Sequence, residues 1–170
     1  MSNFILNKQN VLTEEECNFF IQKLEENASP LDLRFYTGIY DNFYNYNFLV
    51  RKIREVMGEY VELHPFLGKI PFRWNINENI NLQKYDPGQS FSAEHCEHGN
   101  KEYDSKRVLG WMIYLNTIEE GGETYWPQQD YKAKPMRGSL LIWPSSWTHS
   151  HYGIPSQKTK YIITGWGAFN

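Results

Sequence analysis

The chain has 170 residues, with 17 Lys and Arg against 20 Asp and Glu, a net charge of -3, and 16% aromatic residues. That length supports one domain with a full core and is short for two. No run of Lys or Arg marks a nucleic-acid partner, and no apolar stretch approaches the roughly 20 residues that cross a bilayer. Cys17 and Cys96 form no disulfide framework, and the first residues lack the basic start and apolar run of a secretory leader. The expected setting is a reducing cytoplasm.

Residues 1–12 read as a short strand or arm. Thr13 with Glu16 three places on has the form of a capping box, and Cys17, Phe20, Ile21 and Leu24 follow at helical spacing. Asn27-Ala28-Ser29-Pro30 ends that helix. After a tyrosine- and asparagine-rich connector, the pattern Leu49, Ile53, Val56, Met57 and Tyr60 predicts a second helix over about 48–63, stopped by Pro65. From Phe72 the period changes to two, in one long strand or two with a turn between. Phe72, Trp74, Ile76, Ile80 and Leu82 share one face, and Asn75, Asn77, Asn79, Asn81, Gln83 and Tyr85 share the other. A polar face commonly meets water, but this one leads through the turn Asp86-Pro87-Gly88-Gln89 into His95-Cys96-Glu97, and it reads as a wall of a site.

Residues 98–106 read as a loop, and 107–116 as a central strand buried on both faces. Gly121-Gly122 connects to a strand over 123–126, and 135–138 is a turn into a buried strand over 139–143. A second histidine-bearing segment follows at 147–151, and 160–166 closes the set. Helices first and many short strands afterwards make an α+β chain with a jelly-roll β part. The expected organisation is a single domain over 1–170, with helical support over about 1–66 and the β core over about 67–170.

In an extended chain, residues i and i+2 point the same way, about 7 Å apart, so His95 and Glu97 converge on one ion. A distant His151 completes a set of two imidazoles and one carboxylate. Such a set holds one face of an octahedral metal and leaves the opposite face open, which suits Fe(II) oxygen chemistry, whereas a structural zinc site closes with a fourth ligand. A lone His-x-Glu is most often a surface pair, so the downstream partner carries the argument. His149 and His151 share a face if their segment is a strand, and direction alone does not separate them.

The segments LQKYDPGQSF, the His-x-acid run, the strand from Arg107 ending YLN, EEGGET, PMRGSLLIWP and the distal His, Lys and Trp occupy about residues 80–168. In that order they resemble the 2-oxoglutarate- and Fe(II)-dependent oxygenases, and among them the prolyl 4-hydroxylase-like branch. The resemblance implies a double-stranded β-helix, a jelly-roll variant with helices packed on one sheet. It implies His95, Glu97 and His151 as metal ligands and Lys160 as the partner of the distal carboxylate of 2-oxoglutarate. Tyr85 and Thr124 match hydroxyl groups that help hold that carboxylate, and Arg107 and Trp166 match substrate contacts. It also favours His151 over His149, because Pro155 lies four places after His151 and the interval to Lys160 fits better. Trp111, Tyr125, Trp126 and Trp166 are candidates for aromatic walls.

The implied cofactors are Fe(II), 2-oxoglutarate and O2, with ascorbate. The implied reaction is hydroxylation of peptidyl proline with release of succinate and CO2. The same chemistry on a free amino acid, another side chain or a small metabolite is one alternative, and a non-catalytic cupin-like binding module is another. Lys160, Thr124 and Tyr85 speak against the bare module, which has no need of a dicarboxylate clamp. The chain departs from the family pattern in having Glu97 where Asp is commoner and Phe91 where a tyrosine is usual. The expected partner is a proline-containing peptide or protein, or a small molecule.

Overall fold

The computed structural model describes residues 3–32, 36–70, 73–76 and 79–170. In chain order its elements are β1 (Leu6–Lys8), α1 (Glu14–Asn27), β2 (Ser29–Asp32), β3 (Tyr36–Asp41), α2 (Asn47–Leu63), β4 (Trp74–Asn75), β5 (Ile80–Tyr85), β6 (Arg107–Tyr114), β7 (Thr124–Trp126), β8 (Tyr131–Ala133), β9 (Leu140–Pro144), β10 (Tyr152–Gly153) and β11 (Lys160–Phe169).

The helices begin and end where local chemistry directs. The Glu16 N–H donates to Thr13 Oγ1 at 3.2 Å while the Thr13 N–H donates to Glu16 Oε2 at 2.8 Å, so two N–H groups left over at the start of α1 are satisfied reciprocally. Lys52 Nζ reaches the same carboxylate at 2.6 Å and ties α2 to that cap. The α2 helix ends with the His64 N–H on the carbonyls of Tyr60 and Val61, directly before Pro65.

Among the described residues the main sheet has eight strands, ordered β1-β9-β6-β11-β5-β3-β2, with β4 pairing the end of β11. A smaller sheet runs β10-β7-β8, and neighbouring strands in both sheets are antiparallel. These sheets are the two leaves of a double-stranded β-helix, and the chain is α+β as its pattern predicts. Strand alternation divides the main sheet's side chains between two cores. Ile80, Leu82, Leu109, Trp111, Ile113, Leu140, Ile142 and Ile163 join Cys17, Phe20, Leu24, Leu49, Ile53 and Val56 from the helices. Tyr85, Met112, Tyr114, Leu141, Trp143 and Ile162 turn the other way and meet Trp126 and Ala133 of the smaller sheet.

Several elements differ from expectation. The aromatic connector forms β2 and β3, which extend the main sheet through β5, whereas β1, the short strand expected within residues 1–12, adds to its opposite edge beside β9. The first 66 residues therefore supply sheet edges as well as helices. These short segments carry little alternation of their own and are recruited by a neighbour's free backbone groups. The predicted strand from Phe72 is two pieces, β4 and β5, while Phe72 and Asn77 lie outside the described residues. Trp147–His149 is a 3-10 turn, not a strand, and His95 and Glu97 lie in loop.

Gly138 links the first residues to the core. Its carbonyl accepts the Val11 and Leu12 N–H groups at 2.8 and 3.2 Å, its φ is +73°, and a Cβ there would run into the Leu12 carbonyl. Gly58, inside α2, has open space around it. Gly138→Ala is expected to lose about 2 kcal/mol or more through left-handed strain and collision, lowering the melting temperature by about 4 °C or more. Gly58→Ala is expected to gain about 0.5–1 kcal/mol. Thermal melts of the two variants beside wild type check both signs.

Candidate metal and co-substrate site

The site begins with an isolated antiparallel bridge between His95 and His151. Each backbone N–H donates to the other's carbonyl, at 3.0 Å from His95 and 2.8 Å from His151. The paired backbones set the two rings on one side, with centroids 4.5 Å apart. Glu97 follows two residues later, and its Oε1 lies 3.3 Å from His151 Nε2. One ligand atom from each of His95, Glu97 and His151 falls within 4.8 Å of the others.

Both rings are oriented by the chain itself. His95 Nδ1 lies 2.9 Å from the Ala93 carbonyl, and His151 Nδ1 lies 3.0 Å from the His149 carbonyl. A carbonyl only accepts, so Nδ1 of each ring carries a proton, and Nε2 is the atom left to face the centre. Burial and the charge of His151 hold His95 below its ordinary pKa, against the opposing Glu97 charge and Ala93 carbonyl. At Glu97 burial works against the charge, but the hydrogen bond and charge of His151, the charge of His95 and a hydrogen bond from Trp166 prevail, bringing it down to about 2.

His149 does not join this group. The 3-10 turn directs its ring towards the start of the chain, where Nε2 donates to the Asn3 carbonyl at 3.0 Å and Nδ1 accepts from Thr148 Oγ1 at 3.0 Å. The argument from a shared strand face therefore fails, because there is no strand.

Trp166 and Arg107 lie against the acidic member. The indole Nε1 donates to Glu97 Oε2 at 2.5 Å, and the Arg107 guanidinium stacks 3.6 Å from the Trp166 ring centre. Phe91 packs on His95 at 4.3 Å, and Trp126 and Trp143 flank His151 at 5.4 and 5.0 Å. Trp111, a candidate wall in the sequence, faces the helices instead, and Trp143 takes that role.

A cavity of about 720 Å³ joins these groups to Lys160, Tyr85 and Thr124. Its floor is built from alternate residues of β11 and β5, since Lys160, Ile162 and Thr164 pair with Tyr85, Gln83 and Asn81. The polar face expected along β5 does line the site, with Asn79 beside Asn81 and Gln83. Lys160 is only 6% exposed, and no carboxylate lies within ion-pair distance of it among the described residues. Burial pulls its ammonium down to about 7, with the Glu123 charge opposing. Nζ lies 5.2 Å from the Tyr114 ring centre and 5.7 Å from that of Tyr85. The Tyr114 hydroxyl donates to Thr124 Oγ1 at 2.8 Å and accepts from the Thr124 N–H at 3.2 Å, while the Tyr85 hydroxyl donates to Gln83 Oε1 at 2.5 Å. Tyr114 was hidden in an apolar run that reads as core. The pairing of Ile162 with both Gln83 and Tyr114 is what brings its ring beneath the cavity, beside Lys160.

An ammonium buried without a counter-charge costs stability, and an enclosed anion offsets that cost. At the other end, two imidazoles and one carboxylate aim at one point with no fourth protein ligand among the described residues. The donor set fits a divalent metal with open positions, and the ammonium of Lys160 lines the same cavity, where a small dicarboxylate would meet it.

Residues 80–168 match the family model for the 2OG-Fe(II) oxygenase superfamily, and the chain belongs to that superfamily. It is 29% identical over 115 residues to a protein of Arabidopsis thaliana named "Probable prolyl 4-hydroxylase 9", a match that covers 52% of this chain and 40% of that one. The chain thus matches less than half the length of this curated relative. The fold is similar, with a TM-score of 0.77 and 20% identity over 98% of this chain and 96% of the other, to a viral collagen prolyl hydroxylase from Paramecium Bursaria Chlorella virus-1 in a 2OG complex. A prolyl hydroxylase from Trichoplax adhaerens in complex with a hypoxia inducible factor peptide fragment gives a TM-score of 0.74 at 16% identity, over 98% and 84% of the two chains.

The unpaired Lys160 has a measurable signature. Above about pH 7 it is largely neutral in the free protein, whereas a bound carboxylate favours the ammonium. Binding of 2-oxoglutarate to the Mn(II)-loaded protein is therefore expected to take up a proton at about pH 8 and to weaken as pH rises further. Calorimetry in buffers of different ionisation enthalpy reads the uptake, which Lys160→Met should abolish. That variant should also melt higher than wild type without ligand at neutral pH, because it removes a buried uncompensated charge.

Proposed function

We propose that the chain is an Fe(II)- and 2-oxoglutarate-dependent dioxygenase that hydroxylates peptidyl proline, with ascorbate keeping the metal reduced. The observation that carries this reading is a single cavity holding a two-imidazole, one-carboxylate cluster and a buried lysine with no carboxylate in ion-pair distance among the described residues. In that reading His95, Glu97 and His151 hold the metal. Lys160 meets the distal carboxylate of 2-oxoglutarate, with the hydroxyls of Tyr85, Thr124 and Tyr114 around it. When bound, Fe(II) and its co-substrate supply the oxidising power, with 2-oxoglutarate leaving as succinate and CO2.

The chain's own task is placement and exclusion of water. Nδ1 donation to backbone carbonyls fixes both rings, so that each Nε2 is the atom left to face the metal position. Phe91, Trp126 and Trp143 make the surroundings of the histidines dry, which strengthens every electrostatic contact inside. Towards the open side, Arg107 and Trp166 line the cavity as substrate contacts, with Tyr40 and Tyr103 exposed at its rim. The kinship with proteins named prolyl 4-hydroxylases and the fold shared with a peptide-bound prolyl hydroxylase support proline as the target.

Incubation of the Fe(II)-loaded protein with 2-oxoglutarate, ascorbate, air and proline-containing peptides is expected to add one oxygen atom to the peptide and to form succinate. Glu97→Ala should abolish both. Lys160→Ala should raise the apparent constant for 2-oxoglutarate at least about tenfold, the cost of removing one partner of an enclosed charge pair. Equal succinate from wild type and Glu97→Ala would exclude the dioxygenase reading, and oxidation of a free amino acid but never of a peptide would move the substrate.

A further inference from the structure

We infer that Trp166 is the positioning residue of the Glu97 carboxylate, fixing Oε2 so that Oε1 alone faces the metal position; this rests on the metal-site reading above. A glutamate has one more rotatable bond than an aspartate, so its carboxylate swings more widely and has more ways to present both oxygens at once. Three features of this chain hold it. The Trp166 indole N–H donates to Oε2 at 2.5 Å, while Oε1 is the oxygen 3.3 Å from His151 Nε2. Gly110, paired with Trp166 across β6 and β11, leaves space for the extra methylene. A Cβ at that position would lie 3.0 Å from Glu97 Cγ and 2.7 Å from Trp143 Cε2. The Arg107 guanidinium over the indole face draws electron density from the ring and makes its N–H a stronger donor, and Nη1 itself stands 3.9 Å from Oε2.

The consequence is a carboxylate with one oxygen occupied by the protein and one left for the metal. Three protein atoms then take one face of an octahedral ion, and three positions stay open. A chelating co-substrate uses two of them, so a bidentate glutamate would take the position dioxygen needs. Trp166 therefore acts through Glu97 in addition to lining the substrate side of the cavity.

The test is anaerobic Mn(II) binding, read from the paramagnetic resonance signal of the free ion, for wild type, Trp166→Phe, Glu97→Asp and the double variant. Phenylalanine keeps an aromatic face for Arg107 and removes the N–H. Trp166→Phe is expected to weaken Mn(II) binding about tenfold or more, the usual effect of losing a group that orients a metal ligand. In the Glu97→Asp background, where the shorter carboxylate falls short of the indole, the same change is expected to alter affinity by less than about twofold. Wild-type Mn(II) affinity in Trp166→Phe, with only the peptide KM raised, overturns the inference, and so does an equal loss in both backgrounds. If the phenylalanine variant does not fold, benzothienylalanine at 166 keeps the ring shape, lacks the N–H and gives the same comparison. Equal Mn(II) binding by wild type and Glu97→Ala would overturn the metal-site reading itself, whereas Glu97-dependent binding that ignores Trp166 overturns only this inference.

Discussion

Two backbone hydrogen bonds between His95 and His151 hold the site together. They join the loop after β5 to the segment before β10, and so fasten the main sheet to the smaller one at the place where the rings converge. Because main-chain groups do the joining, the imidazoles are not needed for adhesion and keep their Nε2 atoms for other use. Their Nδ1 atoms are spent on carbonyls two residues upstream, so each ring is fixed by its own local chain. Glu97 then needs only the two-residue step from His95 to enter the same space. A site prepared this way loses little conformational entropy when it takes a ligand.

The cavity carries opposite charges at separated points of one floor. Glu97 is buried beside His151, His95 and Trp166, and Lys160 is buried at the far end of β11's inward face with no carboxylate in ion-pair distance among the described residues, Glu123 acting on it from further off. Their side chains do not meet, so neither compensates the other. Such an arrangement is costly in the free protein and is stabilised by ligands that supply the missing charges, a cation at one end and a carboxylate at the other. The aromatic rings between the sheets raise that cost and also raise the reward on binding, since both follow from a low local dielectric.

The inward and outward faces of the main sheet divide the labour. Trp111, Ile113, Ile142 and Ile163 seal against the helices, while the residues alternating with them, Met112, Trp143 and Thr164, line the cavity and Tyr114 packs beneath it. A one-residue slip of β11 would exchange Lys160, Ile162 and Thr164 for Tyr161, Ile163 and Gly165. The helices on the outer face, with the Thr13 cap and the Lys52 contact to Glu16 that tie them, therefore serve the register on which the cavity floor depends.

What the sequence by itself determined is whatever depends on neighbours along the chain. The capping box of Thr13 and Glu16, the stripes of both helices, the polar face of β5 and the two-residue step from His95 to Glu97 all follow from local period and side-chain chemistry. The long interval to His151 and Lys160 was legible only through the order of motifs. Tertiary structure alone decided the rest. The β3 strand exists because β5 offers it free backbone groups, and β2 because β3 does so in turn, which no residue within either announces. His149 turns away because its segment closes as a 3-10 turn, and Tyr114 comes to lie beside Lys160 because β6 takes its register from β11. The Trp166 N–H finds Glu97 for the same reason: the direction of a ring is set by the packing of two distant segments, and that packing leaves no mark in either one alone.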